Sequence, residues 1–148
     1  MSQVETQAVG YELIETPSAN NKVAALWMQN PPVNALSKSV RVGLIEHLNA
    51  AIADESVDII VISSKQNLFS GGADISEFSG GDLEPNLPVV LDVIENSPKP
   101  IVAVLNGPAF GGGLEVALSC HYRVTFASNK VGLPEVNLGI LPGAGGTQ

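Results

Sequence analysis

Hydrophobic residues fall along this chain in two rhythms, short continuous runs and stretches spaced for one helical face, with glycine or proline between most of them. Residues 11–16 and 23–28 are rich in β-branched and aromatic side chains and flank Pro17-Ser18-Ala19-Asn20-Asn21, which predicts a two-stranded hairpin. Beyond the stiff Pro31-Pro32, Ser37 is placed to cap a helix. Its apolar residues Val40, Leu44, Ile45, Leu48, Ala51 and Ile52 form one stripe, with Lys38, Arg41 and Glu46 off it. Residues 58–63 read as a buried strand, and Phe69-Ser70-Gly71-Gly72-Ala73-Asp74 as a glycine turn leading to Ile75. The chain loosens over residues 79–82, and an amphipathic helix is predicted over 87–96, ended by Pro98-Lys99-Pro100. A strand over 101–105, a turn through Gly111-Gly112-Gly113, a helix over 114–120 and a strand over 122–127 follow. Strand, glycine turn and helix thus occur twice in order, which argues for an α/β protein with parallel strands.

Composition sharpens this picture. With 148 residues, 45% of them hydrophobic, the chain has material for one core and one domain. Fifteen glycines and ten prolines call for many turns but stay below the share that marks low complexity. A net charge of -8 makes duplex nucleic acid and anionic membrane surfaces poor partners. Small anions are still open, because backbone N–H groups at turns and helix starts can hold them without lysine. A lone cysteine, Cys120, cannot form an internal disulfide, so a reducing compartment is expected. Residues 1–10 lack the pattern of a secretory signal, and no apolar run reaches the ~18–20 residues of a membrane span.

Charge is scarce where glycine is dense. Nine of the fifteen glycines follow Asn106, and Glu115 is the only charged residue between Lys99 and Arg123. Glu135 is likewise the only one from Val131 to Gln148. A glutamate in an apolar helix is rarely buried without a partner or a task. Burial disfavours the charged carboxylate, which suits a general acid or base. Glu115 has a plainer alternative, complementing the helix dipole or pairing with Arg123 or Lys130. For Glu135 the alternative is a helix-starting Pro-Glu pair. Backbone amides of the two glycine turns could converge on one developing negative charge, or the glycines could serve only tight connection. Neither turn fits a P-loop, a dinucleotide fingerprint or a nucleophile elbow. His47 and His121 lack metal-ligand spacing and are read as structural, His47 on a helix surface and His121 near the core. Ser70 is read as a turn residue and Cys120 as a small buried hydrophobe.

At these residues the sequence resembles the enoyl-CoA hydratase/isomerase, or crotonase, superfamily. The resemblance rests on Asn30-Pro31-Pro32-Val33-Asn34-Ala35-Leu36, on Phe69 through Ile75, on Asn106-Gly107 with Gly111 through Leu118, and on Gly132 through Gly143. The Pro-Pro-Val-Asn-Ala start and the stretch from Cys120 to Gly143 look closest to the hydratase part of multifunctional β-oxidation enzymes, which fuse it to a 3-hydroxyacyl-CoA dehydrogenase. The resemblance implies a spiral of ββα units, usually packed as a homotrimer, acting on acyl-CoA. It implies an oxyanion hole from the amides of Ala73 and Gly112, with Gly72, Asp74, Ile75 and Gly111 lining the substrate. Glu115 would deprotonate water and Glu135 would protonate the α carbon, giving syn hydration of a 2-enoyl-CoA. No metal and no separate cofactor are implied, coenzyme A being part of the substrate, and the location would be cytoplasmic in bacteria or peroxisomal in eukaryotes.

The sequence departs from the family pattern twice. Val33 and Ser76 stand where many stand-alone hydratases carry lysines for the CoA phosphates. The chain also stops at Gln148, where the family continues into a helical region, so residues 1–148 are expected to be a hydratase core truncated at its C-terminal end. Double-bond isomerisation and an inactive, self-associating core are the alternatives to hydration.

Overall fold

A computed structural model describes residues 8–17, 22–80 and 83–147. Strands β1 (Val9–Glu15) and β2 (Lys22–Met28) pair antiparallel, as the hairpin reading requires. The turn expected between them lies mostly outside the described residues, as do positions 81 and 82. Next come α1 (Lys38–Ala53), β3 (Val57–Ser64), a 3₁₀ helix (Ile75–Ser79), α2 (Leu87–Glu95) and β4 (Ile101–Leu105). The chain then forms β5 (Ala109–Phe110), α3 (Gly112–Ser119), β6 (Tyr122–Thr125), β7 (Val131–Gly132) and a second 3₁₀ helix (Glu135–Leu138). The main sheet runs β1-β2-β3-β4-β6 and is parallel from β2 onward, while β5 and β7 form a small parallel ladder of their own.

The core forms where the helices cover this sheet. α1 lies against β1, β2, β3 and α2, and α2 packs on α3. Val40, Leu44, Leu48 and Ala51 of α1 are fully buried, as the stripe predicts. Burying a leucine completely favours the fold by about 1.5–3 kcal/mol, which makes Leu44 and Leu48 anchors of the α1 face. α2 adds Val90, Leu91 and Ile94, and β3 and β4 contribute Ile60, Ile62, Ile101 and Ala103. β6 has one strand neighbour and all four of its residues are exposed.

Several sequence expectations need correction. Arg41 lies off the apolar stripe by composition, yet it is buried, because backbone carbonyls and a carboxylate satisfy its guanidinium. The first glycine turn enters a 3₁₀ helix, not an α-helix, with the Asp74 carboxylate accepting from Ser76 N–H at 3.0 Å. α3 begins at Gly112, two residues earlier than predicted, and ends at Ser119. β6 stops at Thr125, and the Ser37 side chain makes no cap bond to α1. His121 is exposed, not near the core, although its Nδ1 accepts from Ile101 N–H at 3.0 Å. His47 is half-buried against the Val9 carbonyl at 3.0 Å and beside the Tyr11 ring.

Candidate active site

The first glycine turn is held by the segment that follows the Pro-Pro pair. Asn34 adopts a left-handed φ of 52° and is fully buried, a combination asparagine tolerates better than most side chains. Its Nδ2 donates to the Phe69 carbonyl at 2.7 Å and to Ser64 Oγ at 3.0 Å, and its Oδ1 accepts from Asn30 N–H at 2.8 Å. Along the same turn Gly71 N–H donates to the Val33 carbonyl at 2.8 Å, and Ser70 Oγ to the Asn34 carbonyl at 2.8 Å. Leu36 N–H donates to the Gly72 carbonyl at 2.8 Å. Ser70 Oγ also accepts from Gly72 N–H at 3.1 Å, so this hydroxyl is a brace inside the turn and not a nucleophile. From sequence Asn34 stands only as one residue of the 30–36 segment, with no role of its own.

The second glycine turn is pressed onto the first. A Cβ on Gly113 would lie 2.6 Å from Ser70 Cβ, and one on Gly72 would lie 2.9 Å from the Phe110 carbonyl and 3.4 Å from Gly112 N. Gly72 also has a φ of +104°, which side chains rarely adopt. A Cβ on Gly112 would lie 3.5 Å from Ala73 N. The amides of Ala73 and Gly112 are therefore neighbours. Among the described residues neither donates to a protein acceptor, whereas Gly71, Gly72 and Gly111 N–H all do. Gly112 opens α3, so its N–H belongs to the helix end that carries partial positive charge. Two adjacent N–H groups left open in this way suit an oxygen that gains negative charge.

Both glutamates lie beside these turns. Glu115 sits in the first turn of α3 at 4% exposure, its N–H donating to the Gly111 carbonyl at 3.1 Å. Its Oε1 accepts from Ala144 N–H at 2.9 Å and Gly146 N–H at 3.0 Å. The expected alternative partner Arg123 instead donates to the carbonyls of Ala117, Leu118 and Cys120 at the other end of α3. Glu135 starts the second 3₁₀ helix and is 9% exposed. Its position follows from the small ladder: Gly111 N–H donates to the Gly132 carbonyl at 3.0 Å, and three residues later the Glu135 Oε1 lies 3.3 Å from where a Gly111 Cβ would stand. That same Cβ position is 3.9 Å from Gly72 Cα, so Gly72, Gly111 and the Glu135 carboxylate meet at one place. The Glu135 Oε2 is buried with no hydrogen-bond partner. A buried carboxylate oxygen left unpaired costs about 1–3 kcal/mol or more, unless a proton or a ligand meets it.

The remaining expected residues divide. Gly72 and Gly111 are buried within the junction of the two turns, while the Asp74 side chain is spent capping the 3₁₀ helix and Ile75 is exposed. Cys120 is buried at the far end of α3, and burial pushes its thiol up to about 12 despite the nearby Arg123 charge. Arg41, expected only as a residue off the α1 stripe, forms an ion pair with Glu77 at 2.8 Å beside the first turn. No helix among the described residues is long and apolar enough to cross a membrane.

Comparison with known proteins finds likenesses over most of this chain. The family described as enoyl-CoA hydratase/isomerase matches residues 18–148. A peroxisomal bifunctional enzyme of Danio rerio is 48% identical over 138 residues, covering 93% of this chain and 18% of that protein. A Bacillus subtilis protein named "Probable enoyl-CoA hydratase" is 44% identical over 133 residues, covering 85% of this chain and 52% of that one. Among solved structures, an enoyl-CoA hydratase from Bacillus anthracis superposes with a TM-score of 0.82 at 28% identity, over 96% of this chain and 56% of that one. The chain thus spans under a fifth of the bifunctional relative and about half of the other two.

Proposed function

The chain belongs to the enoyl-CoA hydratase/isomerase family, and from that premise we propose that it adds water across the 2,3 double bond of 2-enoyl-CoA thioesters, as the hydratase part of a β-oxidation enzyme. The observation that carries the reading is the pair of open amides, Ala73 and Gly112, beside the unpartnered oxygen of Glu135. The thioester oxygen accepts from the two amides, which meet the enolate charge that develops there as C3 is attacked. Glu115 takes a proton from water while the water oxygen bonds to C3, and Glu135 delivers a proton to C2. One proton is thus accepted and one donated, and the two carboxyl groups return to their starting states by exchange through the site.

The two environments fit these roles. Amides of Ala144 and Gly146 hold one oxygen of Glu115 as an acceptor, which fixes the orientation of the carboxylate toward the site. The buried Oε2 of Glu135 has no protein partner, which leaves it available to the reacting carbon of a substrate. Water addition leaves the overall oxidation level unchanged, so coenzyme A enters only as the handle of the substrate. Relatives named as peroxisomal favour a peroxisomal location if the source is eukaryotic. Incubating the full chain with crotonyl-CoA tests the proposal. Loss of the enoyl thioester absorbance with formation of a 3-hydroxyacyl-CoA is expected, and a product with only a shifted double bond would replace hydration by isomerisation.

A further inference from the structure

We infer, resting on the reading above, that Arg41 is a positioning residue for the acyl chain: it ties the walls of a small apolar cavity beside the two open amides, so that carbons beyond the few the cavity holds add nothing to binding. The cavity measures about 80 Å³, and Leu36, Phe78, Leu83 and Leu87 line it together with Ala73, Arg41 and Glu77. Its continuity with the amides follows from Gly112, where a Cβ would lie 2.8 Å from Leu87 Cδ2, 3.3 Å from Leu36 Cδ1 and 3.5 Å from Ala73 N. A thioester oxygen resting on both amides therefore brings its neighbouring carbons to the Leu36 and Leu87 side chains. Of the two ends of such a substrate, the hydrocarbon tail matches an apolar lining.

Arg41 holds that lining in shape. Its side chain is 6% exposed, and four of its N–H groups are engaged. Nε donates to the Pro85 carbonyl at 2.6 Å, Nη1 to the Leu36 carbonyl at 2.6 Å and to Glu77 Oε2 at 2.8 Å, and Nη2 to the Leu83 carbonyl at 3.1 Å. Glu77 Oε1 in turn accepts from Lys38 N–H at 2.7 Å, which fastens the 3₁₀ helix to the start of α1. Three separate stretches of wall thus hang from one buried guanidinium. Moving these walls apart means breaking the ion pair of a buried arginine and leaving carbonyls without donors, which is costly. An apolar cavity of roughly 150 Å³ accepts a benzene ring, so half that volume accepts on the order of three or four carbons. In an open apolar groove each added methylene would raise affinity about fourfold. A cavity of this size, once filled, gives the carbons beyond it no such gain.

The test is calorimetric binding of butyryl-CoA and decanoyl-CoA to the full chain, to Arg41→Lys and to Leu83→Ala. Lysine keeps a charge for Glu77 but lacks the planar fork that spans three carbonyls. Leu83 is 40% exposed, so its truncation enlarges the cavity without emptying the core. The unaltered chain is expected to bind decanoyl-CoA no tighter than butyryl-CoA, within threefold, and both variants to shift the ratio at least tenfold toward decanoyl-CoA. Decanoyl-CoA binding more than tenfold tighter to the unaltered chain overturns the inference, as does an unmoved ratio in Leu83→Ala. An unmoved ratio in a folded Arg41→Lys overturns the part given to Arg41, and if that variant does not fold, Leu83→Ala decides alone. Failure to turn over either chain length of enoyl thioester would count against hydration only, since the binding ratio is read without turnover.

Discussion

The first turn of α3 and the 3₁₀ helix at Glu135–Leu138 each bury one glutamate, and the two surroundings differ in kind. Around Glu115 the structure is dense: α3 packs on α2, its N-terminal glycines touch the Ser70 turn, and amides of Ala144 and Gly146 reach the carboxylate. Around Glu135 the segment is thinly packed, with Val136, Leu138, Ile140 and Leu141 all exposed, Leu141 to 85%. Its carboxylate is nonetheless buried against Gly111 and keeps one oxygen without a partner. The difference teaches that burial and satisfaction are separate properties. A buried carboxylate that the backbone satisfies is fixed in place, while one that the backbone leaves bare keeps an oxygen for a ligand to meet.

Removing the bare group should have the largest effect. Glu135→Gln keeps the size of the side chain and loses the proton, so hydration of crotonyl-CoA is expected to fall about 10³-fold, within the ~10²–10⁴ range for general acid/base catalysis. Steady-state kinetics read this, and an unchanged circular dichroism spectrum shows that the fold survives. Glu115→Gln should cost about 10² with little change in KM, because the glutamine carbonyl can still accept from the Ala144 and Gly146 amides while it no longer takes a proton. A Glu115→Gln protein as active as the unaltered one would remove the contrast on which the assignment rests.

Much of this contrast was legible in the sequence. Isolation of Glu115 and Glu135 among uncharged residues marked them as buried, and the glycine runs marked where backbone would meet backbone. Helix and strand order followed from the 3.6 and continuous apolar patterns, as in Val40, Leu44 and Leu48 of α1. Arg41 was not legible, because a charged residue off the stripe is ordinarily solvated, and what draws it inward is a set of carbonyls at Leu36, Leu83 and Pro85 that only the tertiary fold assembles. His121 was misplaced for a related reason: β6 lies at a sheet edge and exposes all of its residues, so its apolar neighbours Tyr122 and Val124 say nothing about burial. The backbone grip on Glu115 was equally invisible, since the amides of Ala144 and Gly146 come from residues some thirty positions away.

A smaller effect sharpens the comparison from the backbone side. A Cβ on Gly146 would lie 2.9 Å from Glu115 Cγ and 3.1 Å from its Oε1, whereas one on Gly143 meets nothing within 4 Å. Gly146→Ala is therefore expected to lower kcat by about tenfold, roughly 1.4 kcal/mol in the barrier, by displacing the carboxylate. Gly143→Ala should leave kcat within twofold, and equal losses in the two would show that the loop acts without touching Glu115.

The smallest expected effect lies at the other end of α3, where a buried titratable group plays no part in the chemistry. The Cys120 thiol, held neutral by burial up to about 12, titrates near ~8.5 once unfolded. Stability from the neutral thiol is thus complete below about pH 8.5 and declines as the pH rises toward 12, because the unfolded chain loses its proton first. Urea unfolding at pH 7.5 and 9.5 should show a decline of about 1 kcal/mol. Most of it should vanish in Cys120→Ala, and an equal decline in that variant would assign it to other groups.

The central claim, that Glu135 carries the proton bound for C2 while Glu115 handles water, is tested most directly by running the hydration of crotonyl-CoA in D₂O and locating the label in the 3-hydroxyacyl product. The account predicts one deuterium at C2, placed on the same face as the new C3 hydroxyl, at a rate that falls about 10³-fold in Glu135→Gln. Undiminished, stereospecific labelling of C2 by the Glu135→Gln protein would contradict it.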